Sequence, residues 1–573
     1  MRYLVLACDY DGTLATDGQV TPDTLAALER LLASGRKLIL VTGRELEDLF
    51  HVFPHTHLFA RVVAENGAVL YRPASGETIL LGDAPPATFM QALHARGVSP
   101  LSTGRVIVAT RQPYENAVLE VIRDCGLELQ VIFNKGAVMV LPAGINKATG
   151  LRAALRDVGL SPHNAVGVGD AENDHAFLSL CACSVAVAGA LRTVQERADI
   201  ITQADNGAGV TELIEALVAN DLESYEHRLT RHHILLGTRQ DGTEVRVRPY
   251  GMNLLLAGTS GSGKSTLATG FLERLAEAGY QFCVIDPEGD YENCEAAIVL
   301  GDDQRAPSLA EVLQLLARPD QNAVINLLGL ALEDRPAFFA SLLAHLQALR
   351  VQTGRPHWVV VDEAHHLLPT SWNPVRQVFT QDLTGMLLIT VHPDQVAPAV
   401  LSSVHGILAI GESPVTTLQA FSTAMGQSPP PLAPVSLPPG DALLWRPPSE
   451  AAVEQFRIAP SRATRVRHRR KYALGELGAD KSFYFRGPDG QFNLRAQNLM
   501  LFMQIAEGLD DATWLYHLQR GDYSCWFREA IKDHDLAAAA AAIEAQAELS
   551  PAASRQGFKD AIEQRYTLPS TSP

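Results

Sequence analysis

The sequence predicts an α/β protein of 573 residues built from several domains in series. Two observations carry that prediction. Short continuous apolar runs, such as Tyr3–Cys8, Lys37–Val41, Ala165–Val168, Asn253–Ala257 and His357–Val361, read as parallel strands covered on both faces. Each of these runs stops at a polar or glycine-bearing turn, and helical patterns lie between them. Functional groups in such folds sit at the carboxyl ends of the strands.

The first run delivers Asp9-Tyr-Asp11-Gly-Thr. Two-residue spacing points both carboxylates along one side of the chain, and Gly12 lets the backbone turn away. The second run ends in Thr42-Gly-Arg44, with Arg44 either a substrate contact or a surface ion-pair residue. Lys147 stands in Ile-Asn-Lys-Ala-Thr-Gly before a helical pattern, and the third run ends in Gly169-Asp170-Ala-Glu-Asn173-Asp174. Cys181 and Cys183 alternate into an apolar strand and read as core.

In order and spacing these four pieces resemble the haloacid dehalogenase superfamily of phosphatases. Ala64-Glu-Asn-Gly-Ala68 and Val185–Ala188 are similar to its Cof-type branch, which inserts an α/β cap, here about residues 83–140. The resemblance implies that Asp9 is a nucleophile forming an aspartyl-phosphate, and that Asp11 protonates the leaving group. It implies Mg²⁺ held by Asp9, the Asp11 carbonyl and Asp170, with Asp174 in or near the shell. An oxygen-only donor set suits that ion. Thr42 and Lys147 would bind the phosphoryl oxygens. A closing cap favours a small phosphorylated substrate, first of all a sugar phosphate.

Further along, a hairpin is expected at His233–Val247, turning at Asp241-Gly242. The strand after it runs into Gly258-Thr259-Ser260-Gly261-Ser262-Gly263-Lys264-Ser265 and a helical pattern. Strand, glycine loop and helix together make a P-loop, which wraps the phosphates of ATP in backbone N–H groups. Lys264 supplies a mobile cation and Ser265 a magnesium ligand. The strand at 357–361 ends in Asp362-Glu363, where Asp362 would hold a magnesium-bound water and Glu363 would polarise the attacking water. Phe282–Asp286 leads into the acidic turn Pro-Glu288-Gly-Asp290-Tyr, and His392 follows another strand at the position of a sensor residue. This set is similar to HerA/FtsK-type ATPases. That resemblance implies a homo-oligomeric ring, with Arg335 and Arg376 as candidates for an arginine acting on a neighbouring subunit. It also raises an alternative function, an ATP-driven motor on nucleic acid whose phosphatase acts on nucleotides or nucleic-acid ends.

The expected layout is therefore a Rossmann-like phosphatase core with its cap (1–218) and a P-loop ATPase with a central sheet (228–447). A basic linker (448–479), a small α-rich domain (480–550) and a tail (551–573) follow. Residues 219–230 are polar and read as an interdomain linker. Six arginines and one lysine, with no acid, occupy 457–471, and a phosphate-backbone contact is one reading of them. The net charge of −17 argues against nonspecific polyanion binding by the whole chain. His517, Asp522 and His534 have no ligand-like spacing, and the aromatic density around them reads as core. Seven cysteines without a CxxC pair, and no apolar stretch of about 18 residues, point to a reduced cytoplasmic protein without a membrane span.

Overall fold

The strand Val5–Cys8, buried at all four positions, lies inside an eight-stranded sheet. The computed structural model describes residues 1–573 except 135, 260, 372–382, 448–452, 463–476, 478–480, 489, 491, 532, 547–548 and 567–573. Strand order in this first sheet is Ile200–Ile201, Cys183–Ala186, Ala165–Gly169, Val5–Cys8, Lys37–Val41, Arg61–Ala64, Val69–Arg72, Glu77–Leu80. The first six run parallel and the last two turn back as antiparallel partners. Cys8 pairs with Leu40 on one side and Val168 on the other, so the residues just after all three strands share one edge. A separate four-stranded antiparallel sheet (Ser102–Thr103, Val108–Arg111, Ala137–Pro142, Leu129–Asn134) is inserted after Leu80. The helices Ala87–Ala95 and Glu115–Asp124 bury Phe89, Leu93, Val118 and Val121 against it.

A second sheet of eleven strands follows. Its parallel part runs Gly406–Ile410, Asn253–Gly258, Met386–Thr390, Trp358–Val361, Phe282–Asp286, Ala323–Asn326, Ile298–Leu300. The strand ending at Thr390 thus separates the glycine-loop strand from the strand that leads to Asp362. The hairpin Ile234–Thr238/Glu244–Val247 forms the far edge.

Three boundaries differ from the sequence reading. Glu454–Ile458, placed in the basic linker, is a strand of this second sheet, paired with Asp441–Leu444 and with Gly237–Thr238. Phe456 is buried there, and Glu454 takes Arg239 and Arg446 at 2.6 Å each, contacts that only the folded sheet creates. Residues 219–230 are not a free tether, because Leu222 and Leu229 are buried in the first core and Asp221 takes Arg36 at 2.8 Å. Two well-placed leucines suffice where a long apolar stripe is missing. Pro551–Tyr566, read as tail, is a helix whose Phe558 and Ile562 lie in an aromatic core with Trp514, Tyr523 and Phe527. Trp514 Nε1 donates to Ser554 Oγ at 2.9 Å on that helix.

The two sheets belong to one compact unit, Met1–Ser461. At their joint the His163 ring stacks on Tyr280, with centroids 3.7 Å apart and planes 15° from parallel, and His163 Nε2 lies 2.6 Å from the Ala278 carbonyl. Tyr250 donates its hydroxyl to the His163 carbonyl at 2.9 Å, and Arg355 donates to the Gly159 carbonyl at 2.8 Å. A side chain on Gly354 would strike Asn164, its Cβ falling 2.2 Å from Nδ2, so the surfaces meet backbone to side chain. Arg462–Pro573 is a second unit. Its described part holds the short sheet Phe483–Phe485/Leu494–Ala496 and five helices. No described helix is long and apolar enough to cross a membrane.

Candidate active sites

The shared edge of the first sheet gathers Asp9, Asp170 and Asp174, all buried, with one carboxylate oxygen from each lying within 4.8 Å of the others. Lys147 opens the helix Lys147–Asp157, whose N-cap Asn146 accepts from the backbone N–H groups of Ala148 and Thr149. Its ammonium donates to Asp9 Oδ1 and to Asp174 Oδ1, at 2.5 Å each. Asp174 also accepts the backbone N–H groups of Asp170 and Ala171, both at 2.9 Å, which fixes its second oxygen. Burial first, then the Asp174 carboxylate, pushes the Asp9 carboxyl up to about 8 against the pull of Lys147. Burial opposes the Lys147 ammonium, but Asp174 and Asp9 outweigh it and hold its pKa above the ordinary lysine value. Three buried carboxylates lie beside one ammonium, which bonds two of them, an imbalance that a divalent cation would offset. The residues present fit such an ion.

Asp11 and Thr42 flank this cluster. Arg44 grips Asp11 through two bonds of 2.7 Å and Asp48 through a third of 2.6 Å, so it serves as an ion-pair residue in this arrangement. Thr42 is fully buried, and its hydroxyl accepts the Arg44 N–H at 3.1 Å. The sequence reading missed two contributors. Thr13 donates its hydroxyl to Asp170 at 3.2 Å, and Asn173 donates to Asn66 at 2.8 Å.

It also missed a join between core and insert. Glu65 and Asn66 both hold φ of 52°, and that left-handed turn sends the Glu65 carboxylate towards the inserted sheet. Glu65 accepts the backbone N–H groups of Arg105, Val106 and Ile107 at 2.8–3.0 Å. A side chain on Gly104 would collide with it. Next in the chain, Gly67 at φ 104° passes so close to Asn146 that an added Cβ would lie 1.9 Å from the Asn146 carbonyl oxygen and 3.1 Å from Lys147 N. Gly67→Ala is expected to displace Asn146 and with it the Lys147 ammonium, lowering phosphatase kcat/KM by about ten- to a hundredfold. ATP hydrolysis by the same preparation should not change. Equal phosphatase rates in variant and parent would refute this.

In the second sheet Gly258 closes its strand and Gly263 takes φ 104° at the entry to the helix Lys264–Glu277. Thr259, Gly261, Ser262 and Ser265 complete the loop, and Ser260 lies outside the described residues. Lys264 folds back, donating to the carbonyls of Gly258 at 2.9 Å and Thr259 at 3.1 Å. Asp362 is buried and accepts the Glu363 N–H at 3.0 Å, with Glu363 held at φ 41°. Burial, then Asp290, Glu363 and Asp286, raises the Asp362 carboxyl well above the usual range. Asp286 accepts three N–H groups of its own turn and is pushed up to about 6, chiefly by burial. His365 links the strand tips, 3.1 Å from Thr390 Oγ1 and 3.5 Å from Glu363 Oε2. His392 donates its backbone N–H to Thr390 at 3.0 Å and sets its ring 5.4 Å from that of His365. Arg335 does not stand as a free finger. It is buried and donates to the carbonyls of Leu330 and Pro287. Arg376 and most of the basic run lie outside the described residues. His517 uses both ring nitrogens inside its own unit, Nδ1 with Asp522 at 2.8 Å and Nε2 accepting the Arg486 N–H at 3.1 Å.

A family model described as haloacid dehalogenase-like hydrolase matches residues 6–96 and 101–214. The phosphoglycolate phosphatase of Methanothermobacter thermautotrophicus is 31% identical over 218 residues, covering 36% of this chain and 96% of that protein. The chain belongs to the haloacid dehalogenase-like hydrolases. A second relative of this hydrolase, the phosphoglycolate phosphatase of Halorubrum lacusprofundi, is 32% identical over 226 residues, 36% of this chain and 94% of its own. Among solved structures, a haloacid dehalogenase-like hydrolase from Bacteroides thetaiotaomicron is 20% identical, covering 38% of this chain and 99% of that one, with a TM-score of 0.33. The hydrolase also carries an AAA ATPase domain, matched over residues 243–389. It is an enzyme with phosphatase and ATPase activities on one chain.

Proposed function

We propose that the first domain is a magnesium-dependent phosphomonoesterase acting on a small phosphorylated metabolite through an aspartyl-phosphate on Asp9. The observation that supports this most is the buried set Asp9, Asp170 and Asp174 with Lys147 bridging two of its members. Asp9, Asp170 and Asp174, with the carbonyl of Asp11, would hold the ion, which supplies charge neutralisation when bound. Asp9 attacks phosphorus in line, and the P–O bond to the leaving alcohol breaks as the new one forms. Asp11 gives that alcohol a proton, leaving Arg44 to stabilise the resulting carboxylate, and then takes one from the water that hydrolyses the acyl phosphate. Lys147 and Thr42 bind the phosphoryl oxygens. The inserted cap limits access to small substrates. The phosphoglycolate phosphatases among the relatives make 2-phosphoglycolate the first substrate to try, with sugar phosphates next.

In the second domain, residues 258–265 would hold the phosphates of ATP, Asp362 would take a magnesium-bound water and Glu363 would polarise the attacking water. A ring of subunits remains the proposed assembly, and cytoplasm the proposed location. Phosphate release from 2-phosphoglycolate and a panel of sugar phosphates, measured with Mg²⁺ and again with EDTA, tests the first reading. Turnover of at least one compound, lost with EDTA and restored by Mg²⁺, is expected. A wild-type protein that hydrolyses none of them would overturn it.

A further inference from the structure

Beside the joint between the two sheets lies an open cleft of about 800 Å³ that neither hydrolytic site uses. Arg152, Arg156, Arg231, Arg246 and Arg274 line it, against two acids, Glu277 and Asp320. Five guanidinium groups on one cleft stand out in a chain of net charge −17, although Glu244 and Asp199 beside it offset two of them. Asp320 holds its arginine only weakly. Arg156 meets Asp320 at 3.4 Å with both side chains more than half exposed, and pairs of that kind contribute at most about 1 kcal/mol in water. Arg246 donates to Glu244 at 2.7 Å and to the carbonyl of His233, another residue of the cleft wall, which orients its guanidinium. Arg231 is anchored similarly by Asp199 and the Cys181 carbonyl. Arg152 has no partner among the described residues. Fixed guanidinium forks suit phosphate oxygens bidentately, and the volume lies in the range of small-molecule sites.

The placement of these arginines joins the two domains. Arg152 and Arg156 project from the helix Lys147–Asp157, which begins with the lysine between Asp9 and Asp174. Arg274 projects from the helix Lys264–Glu277, which begins with the lysine of the glycine loop. At ~1.5 Å per residue these helices are roughly 16 and 21 Å long. A ligand bridging their far ends therefore touches the two rigid elements that carry both phosphate-binding lysines.

We propose that this cleft is a third site, which binds a small polyphosphate anion across the phosphatase and the ATPase. A nucleoside triphosphate and inorganic tripolyphosphate share that chemistry. Hydrogen–deuterium exchange on the full-length Lys264→Ala protein, with tripolyphosphate in one arm and a non-hydrolysable ATP analogue in the other, tests it. Slower exchange is expected in peptides covering 150–163 and 231–246, with affinity at least tenfold weaker in Arg152→Glu/Arg246→Glu. Both positions are exposed, and thermal melting checks that the double variant is folded. Equal binding of the two probes assigns the site to phosphates alone, whereas clearly tighter binding of the analogue assigns it to a nucleotide. The proposal is overturned if protection is confined to residues 9–11 and 258–265, or if the double variant binds both probes as tightly as its parent.

Discussion

Asp9→Asn should lower phosphatase turnover by at least about a thousandfold while ATP hydrolysis in the same sample continues at the parent rate. The amide keeps the shape of the carboxylate and removes the proposed nucleophile. The fold should tolerate the change. Lys147 retains Asp174 at 2.5 Å, and one of three crowded carboxylates is gone. Burial and Asp174 already raise the Asp9 carboxyl, so in EDTA the variant should melt no lower than the parent. Both rates and the melting curve are needed. A variant that melts normally but keeps more than about a tenth of its phosphatase activity would remove Asp9 from the nucleophile's role.

Lys264→Ala should lower ATP hydrolysis by at least about a hundredfold, through loss of the cation that the γ-phosphate meets. In the structure this ammonium spans the mouth of its own loop, bonded to the carbonyls of Gly258 and Thr259, an arrangement that incoming phosphates would displace. A purely structural lysine would give a different result, a lower melting temperature with ATP affinity little changed. Phosphatase activity should persist, because the Asp9 cluster contains no residue of the second sheet. Parallel measurements of ATP affinity, both hydrolytic rates and Tm separate these outcomes.

Strand-end motifs were legible in the sequence because a buried parallel strand forces an unbroken apolar run, and the turn after it has to be polar. Asp9, Asp170 and Asp174 could be singled out that way and Lys147 by its place before a helical pattern, and the structure brings all four together. The role of Arg44 was not legible, since an arginine after a strand reads alike whether it faces an anion or a carboxylate. Glu65 stands out in the sequence only as part of a motif, because its partners are backbone N–H groups 40–42 residues away, and backbone donors carry no sequence signature. The boundaries at 222–229, 454–458 and 551–566 were hidden for a related reason. Leu222, Leu229, Phe456, Phe558 and Ile562 are isolated apolar residues in polar surroundings, and only tertiary contacts give them a place to be buried.

The three N–H groups that converge on Glu65 bear on how long a molecule stays inside. The loop at 105–107 belongs to the inserted domain and the carboxylate to the core, so lifting the insert exchanges all three bonds for water. Bonds to a charged acceptor are worth about 1.5–3 kcal/mol each, and breaking them together makes unlatching rarer than for a lid resting on apolar contacts alone. With the insert acting as the proposed cap, product departure would wait on the release of one side chain. On that reading, dwell time beneath the insert would be a property of Glu65, separable from the speed of the bond-breaking step.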